Sequence, residues 1–304
     1  MNRLLPSALA IAGLTICSAA SAQLQRTFVT SFGDDANACS FGSPCRSFAA
    51  AEAKTLSGGE IIARDAAGFG PVTITKSLSI IANPGSYAGI TASSGNGITI
   101  ATPGVSVRLK GLNINSPSGG SYGIQMTAGD TLSIDDCYIS GFTFAGIFVS
   151  SATSTTRIRN TIVTSNQDGI FIQNGTASVA NSHAFKNVRA GFLAYAEFDG
   201  MIASMAVSDS VATLNLDGFV AVAYGTGSIA SNTVTRGTSI GNEHGVYTEL
   251  GTGGVATLTV GYSTLASNAI GMYNFAGTIE TLGNNVMRNN TTTTSGTITA
   301  VALQ

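Results

Sequence analysis

From Gly97 onward the chain repeats one pattern, a glycine followed by a short strand in which apolar residues alternate with others. The repeats open with Gly97-Ile-Thr-Ile, Gly123-Ile-Gln-Met, Gly146-Ile-Phe-Val, Gly169-Ile-Phe-Ile, Gly191-Phe-Leu-Ala, Gly218-Phe-Val-Ala, Gly245-Val-Tyr-Thr and Gly271-Met-Tyr-Asn. Successive starts lie 26, 23, 23, 22, 27, 27 and 26 residues apart. A period in the twenties built from two-residue alternation, with no helical stripe, predicts a β-solenoid. Leucine-rich repeats share the period but not this pattern. Two further alternations follow in each unit, as in Leu132-Ser-Ile134 then Cys137-Tyr-Ile139, or Ile158 then Ile162. Three strands per coil give a triangular cross-section. The predicted class is therefore all-β, a parallel β-helix of about nine to ten coils.

Successive side chains of a strand point to opposite faces. If Ile98, Ile124, Ile147, Ile170, Phe192, Phe219, Val246 and Met272 face the interior, the outward row is Thr99, Gln125, Phe148, Phe171, Leu193, Val220, Tyr247 and Tyr273. Polar residues recur at matching phases. One predicted corner runs Asp136, Asn160, Asn181, Asp209, Asn232, Ser263 and Asn284, and a later one runs Asn166, Asn187, Asn215, Asn242 and Asn268. These types tolerate left-handed backbone and bond neighbouring main chain, so stacked coils should form side-chain ladders. Asp136 and Asp209 are thereby read as structural.

Ahead of the repeats, Arg26 to Ser31 reads as a strand, and Ser47 to Leu56 as an alanine-rich helix ended by Gly58-Gly59. Such a helix, carrying Phe48 and Leu56, would cap the first coil, because a solenoid's open end needs cover. That coil starts at Glu60-Ile61-Ile62, passes Pro71-Val-Thr-Ile74 and returns through Leu78-Ser-Ile80. The expected organisation is a signal peptide over 1–22, then a strand, loop and capping helix over 23–58. The β-helix follows over 59–290, and a cap or tail over 291–304.

The signal peptide is read from Arg3, the apolar run Leu4 to Ile16, and the small-residue cleavage site Ala20-Ser21-Ala22, which would make Gln23 the first mature residue. Lipidation at Cys17 fits less well because Ile16 precedes it. No later stretch has the roughly 20 uninterrupted apolar residues of a membrane helix, so an exported periplasmic or secreted protein is expected. Charged residues are 10% of the chain and hydrophobic ones 44%, a balance that argues against disorder. Without Arg3, 13 basic residues (14 less one) face 16 acidic ones, which leaves no electrostatic footprint for nucleic acid. Cys39 and Cys45, close together in a chain bound for an oxidising compartment, are read as a disulfide. A zinc site is disfavoured because neither histidine lies near them. Cys137, inside an apolar alternation, is read as a buried thiol.

Asp34-Asp-Ala-Asn37, Cys39, Pro44-Cys45-Arg46, Phe48, Gly58-Gly59-Glu60, Gly70-Pro71-Val72-Thr73-Ile74 and Lys76-Ser77 together carry a resemblance. The chain resembles bacterial exported β-helix repeat proteins of the pectin-lyase-like superfold, over its whole mature length. The resemblance implies a right-handed coil, and a superfold whose enzymes cleave or epimerise polysaccharides. Fold alone does not settle which members do so.

A uronate lyase needs a base beside the carboxylate and commonly a cation, and a glycosidase needs two carboxyl groups roughly 5 to 9.5 Å apart. The outward row of the first strand carries no charge at all. Asp135-Asp136, Glu243-His244-Gly245 and Arg157-Ile158-Arg159 are superficially similar to polygalacturonase motifs, but their order and spacing keep them from meeting at one sugar. Lys110, Asp135 and Arg159 take similar phases and read as a cross-coil ion-pair row. Alternatively, Arg108, Lys110, Arg157 and Arg159 form a small basic patch for an acidic polysaccharide. The weak catalytic candidates are Asp168, Asp217 and His244, each just before a first strand, with Glu249 at a strand's far end. The plain reading of the two aspartates is a solvated turn carboxylate. Calcium could bind such groups, but no loop motif supports it, and no cofactor is expected.

The outward row, with Tyr195, Val222 and Phe275 one step along, should form an apolar stripe of a kind monomers rarely leave in water. A glycan, a second copy of the chain or a loop would cover it. Phe171, Tyr195, Tyr247, Tyr273, Phe275, Arg157 and Arg159 are thus the ligand-binding candidates. The leading expectation is a non-catalytic protein that binds a polysaccharide or cell-envelope component. The alternative is a lyase, hydrolase or epimerase with an unrecognised site.

Overall fold

The computed structural model describes residues 23–302, so the expected signal peptide lies outside the described residues. The chain winds through three parallel sheets in about nine turns. The first sheet holds the glycine-initiated strands, among them Tyr122–Ala128, Ala190–Ala196, Asp217–Ala223, His244–Leu250 and Ile270–Asn274. The second begins with Leu24–Val29 and Thr55–Ala63 and continues through Ser106–Lys110, Thr131–Asp135 and Ile202–Ser208 to Ile298–Ala300. Short strands such as Tyr138–Ser140, Ile162–Thr164 and His183–Phe185 make the third. Strands Ala145–Arg159 and Asp168–Ala180 run unbroken from the first sheet into the second.

Register explains the core. Ile147 pairs with Ile170, Ile170 with Phe192, Phe192 with Phe219, Phe219 with Val246, and Val246 with Met272. This inward column is buried throughout, as the alternation predicts. Phe192 and Phe219 stack with centroids 5.0 Å apart.

The corner between third and first sheets is an asparagine ladder. Asn187 Oδ1 accepts from both the backbone N–H and the Nδ2 of Asn166, each at 3.1 Å. Asn215, Asn242 and Asn268 repeat the arrangement, and Asn290, beyond the predicted run, completes it. Because each amide both donates and accepts, this buried row satisfies its own polar groups.

At the other corner the predicted phase holds and then slips. Asp136, Asn160, Asn181 and Asp209 all have φ between 49° and 56°. The next left-handed residues are Arg236 and Tyr262. Asn232 instead points into the core from strand Ile229–Thr235, where its Nδ2 donates to Val220 O at 3.1 Å. Ser263 is one place past the corner, its hydroxyl accepting from Gly237 N. Asn284 accepts from Tyr262 N at 2.7 Å. Arg236 meets the preceding corner's Asp209 at 2.6 Å.

The capping helix is shorter than expected, Phe48–Lys54. Its N-cap Ser47 accepts from Ala50 N, and Asp35 in turn accepts from the N–H of Arg46 and from the N–H and hydroxyl of Ser47, each at 2.8 Å. The helix ends because β-branched Thr55 turns extended, with its hydroxyl held by Ala51 O and Thr27. Leu56 therefore lies on a strand and is exposed, while Phe48 is buried against Phe69. Strand Leu24–Val29 stops before Ser31, whose N–H and hydroxyl are held by Asp65. Cys39 and Cys45 are joined in a disulfide. Cys137 is a buried thiol, pushed up to about 12 chiefly by burial. Residues expected as a C-terminal cap or tail add strands Thr292–Ser295 and Ile298–Ala300, which pair as one more rung.

Candidate functional site: a tyrosine-walled cleft on the first sheet

The outward row stacks in register, Phe148 on Phe171, Phe171 on Leu193, Leu193 on Val220, Val220 on Tyr247, and Tyr247 on Tyr273. It is not the open apolar stripe that alternation suggests. Leu193 and Val220 are only 2% exposed and Val222 6%, packed beneath Phe171, Tyr195 and Tyr247. Among the described residues, no long loop covers it. Large side chains of the same sheet supply the cover, because rungs about 4.8 Å apart bring each aromatic ring over its smaller neighbours.

Over this patch lies a small cleft of about 120 Å³. Leu193, Val220 and Val222 form its floor, with Arg189, Tyr195, Tyr224, Asp217, Tyr247 and Glu249 around them. Three polar groupings define it. Asp168 takes two bonds from Arg189, at 2.8 Å from Nε and 2.5 Å from Nη2, and one from Ala190 N at 3.2 Å. Asp217 Oδ1 lies 2.6 Å from His244 Nδ1. Glu249 accepts from the Tyr224 hydroxyl at 2.5 Å and from the Tyr247 hydroxyl at 2.7 Å.

Asp168 and Asp217 are therefore not the solvated turn carboxylates expected of their positions. They are 2% and 7% exposed, because each opens a strand directly after the asparagine corner and is covered by a partner from the next coil. The register puts them two rungs apart, with the Arg189 rung between. His244 packs on Tyr247 at 5.3 Å and on Tyr273 at 4.8 Å. Phe275 extends the aromatic run beyond Tyr273 at 6.1 Å but remains exposed.

Burial raises the Tyr224 and Tyr247 hydroxyls far above the ordinary tyrosine range, and their bonds to charged Glu249 add to the shift. Burial also raises Tyr195, assisted by Glu197. Burial alone would lower the Arg189 guanidinium, but its bonds to Asp168 outweigh this and raise it. All of these groups keep their protons at neutral pH.

The structure brings together Asp168, Asp217, His244, Phe171, Tyr195, Tyr247 and Tyr273 on one face, and places Arg157 and Arg159 on the second sheet, away from it. There Asp135 lies between Arg108 at 3.6 Å and Arg159 at 3.3 Å, while Lys110 pairs with Asp136 at 3.6 Å. The predicted Lys110–Asp135–Arg159 row is thus rearranged, since Asp135 and Asp136 both carry charge at the end of one strand and each takes the nearest cation. Arg157 has no ion pair among the described residues. Sequence reasoning missed Arg189 and Tyr224. A basic residue one place before Ala190-Gly191, between coils that carry Asp168 and Asp217, was the available signal for Arg189. Tyr224 lies past the strand end and has no periodic mark. Among the described residues no group of three or more His, Cys, Asp or Glu side chains converges as a metal ion would require.

Residues 61–203 match a family model described as the right handed beta helix region. No curated protein matches the chain. Among solved structures, the crystal structure of the pectate lyase Pel9A is similar, with a TM-score of 0.67 and 16% identity over 91% of this chain and 79% of that one. The protein has the fold of a right-handed parallel β-helix. At that identity the likeness describes the fold and leaves the chemistry to the cleft.

Proposed function

We propose that this is an exported, non-catalytic binding protein whose first-sheet cleft takes a polysaccharide or another cell-envelope component. The observation that carries the reading is the commitment of the cleft's charged groups to internal partners. Arg189 is clamped by Asp168, Asp217 by His244, and Glu249 by two tyrosines. Such a site is pre-organised for recognition, with aromatic walls that suit the apolar face of a sugar ring. Arg189 and the three carboxylates each hold an internal partner, so the imidazole of His244 at the cleft's edge is the group left to remove a proton beside a uronate carboxylate. Export is supported by the disulfide, which suits an oxidising compartment, and no helix of the described residues is long and apolar enough to cross a membrane.

One observation favours a second reading as a polysaccharide-active enzyme. The Asp217–His244 contact fixes an imidazole at the cleft's edge, as a general base is commonly held. Incubating purified protein with pectate, alginate and glycosaminoglycans, with and without calcium, separates the two. Binding without new reducing ends or 235 nm absorbance supports the binding reading. Turnover that is lost in His244→Ala would replace it with the enzymatic one.

A further inference from the structure

The charge and hydrogen-bonding polarity of the cleft restrict what it can hold, on the premise that it is the glycan site proposed above. Its one guanidinium, Arg189, is matched by Asp168, and Asp217 and Glu249 add two more carboxylates. Three carboxylates, Asp168, Asp217 and Glu249, thus stand against one guanidinium around the cleft.

The free hydrogen-bonding capacity points the same way. Tyr224 and Tyr247 have each given their single proton to Glu249, so toward a ligand their oxygens can only accept. Asp217 uses one oxygen on His244 and keeps the other, and each Glu249 oxygen retains a lone pair. The donors left to the lining are the Arg189 N–H groups not used on Asp168 and the Tyr195 hydroxyl.

Aromatic faces complete the arrangement. Tyr195 and Tyr224 meet edge to face, with centroids 5.5 Å apart at 88°, and line the cleft together with Tyr247. A ring face attracts a cation, and an ammonium group is a donor with no acceptor capacity. A uronate carboxylate would instead bring a fourth negative charge and more acceptors.

We propose that the cleft selects a free amino sugar, its ammonium group held among Tyr195, Tyr224 and Tyr247 with Glu249 and Asp217 as counter-charges, and that it rejects uronates.

Titration calorimetry of the intact mature protein at pH 6 tests this with four probes: a glucosamine oligomer, its N-acetylated equivalent, an oligogalacturonate of equal length, and a short alkyl polyamine. The glucosamine oligomer should bind at least about tenfold more tightly than the N-acetylated one, and the oligogalacturonate should not bind measurably. Glu249→Gln should weaken glucosamine-oligomer binding about tenfold. Equal or tighter binding of the N-acetylated or galacturonate oligomer, abolished by Tyr195→Ala, would overturn the amine assignment and leave glycan binding intact. Binding of the polyamine without any sugar would keep the cation site and overturn the glycan reading. Binding of no probe would overturn both. If Glu249→Gln does not fold, the four probes on the unaltered protein decide the matter.

Discussion

Phe192 and Leu193 are neighbours on one strand of the first sheet, and both are buried, the first inside the coil and the second on its outer face. Phe192 is enclosed by the three sheets and stacks on Phe219, so water reaches it only if a coil opens. Leu193 is enclosed by Phe171, Tyr195 and Tyr247, side chains at the surface that can change rotamer. Inner burial is a property of the winding, whereas outer burial is a property of a few aromatic rings with polar ends. Outer burial can therefore be rearranged with less disturbance of the coil than inner burial.

The comparison predicts a graded series of effects. Ile170→Ala on the inner column should cost about 2 to 5 kcal/mol in denaturant titration, through the cavity it leaves. A loss below about 0.5 kcal/mol would show that the inner and outer columns are exchanged. Asn215→Ala should cost about 1 to 3 kcal/mol, because it strands the N–H of Asn187 in a buried corner and leaves Asn187 Nδ2 with its bond to Val163 O alone. The same substitution at Asn290, the last rung of the ladder, should cost less, since its amide is only part-buried. Equal losses at both sites would mean the ladder is not a chain of dependent bonds. On the outer column, Phe171→Asp and Tyr247→Asp should leave the unfolding midpoint close to that of the unaltered protein and weaken glycan binding or self-association. If both variants unfold, the outer column is core and the cleft is not a binding face.

The features legible in the sequence are those that repeat with constant phase. Ile147, Ile170 and Phe192 occupy one column because each follows the glycine of its strand by one place, and Asn166, Asn187, Asn215, Asn242 and Asn268 occupy another because each precedes such a strand. Where coils lengthen, the phase is lost. Asn232 fell out of the corner because its strand runs on to Thr235 and turns at Arg236. Leu56 left the capping helix because a hydroxyl contact between Thr55 and Thr27, 28 residues apart, favours extended chain there. The cleft depends on such irregular parts. Tyr195 and Tyr247 were visible as outward positions, but Arg189 gains its meaning only from Asp168 one coil earlier, and Tyr224 from Glu249 one coil later. Pairing between coils is tertiary information that alternation does not carry.

The smallest predicted effect lies in the N-terminal cap, where an outer polar group supports an inner apolar one. Phe48 belongs to the core, and the helix that places it starts at Ser47, which Asp35 holds through three hydrogen bonds with Arg46 and Ser47. Slight burial pushes the Asp35 carboxyl upward, but the Ser47 hydroxyl and the two backbone N–H groups outweigh it and hold the group below the ordinary aspartate value. A carboxyl depressed in the folded state contributes stability that is present above its unfolded value and is lost as pH falls through its folded value. Asp35→Asn should therefore lower stability by at most about 1 kcal/mol at neutral pH, as expected for an exposed charged contact. Its difference from the unaltered protein should shrink as the pH drops below about 4, the ordinary aspartate value. Denaturant titrations of both proteins between pH 7 and pH 3 measure this difference directly. A difference that stays constant with pH would show that Asp35 supports the cap through shape and neutral hydrogen bonding, and that its charge contributes nothing to seating Phe48.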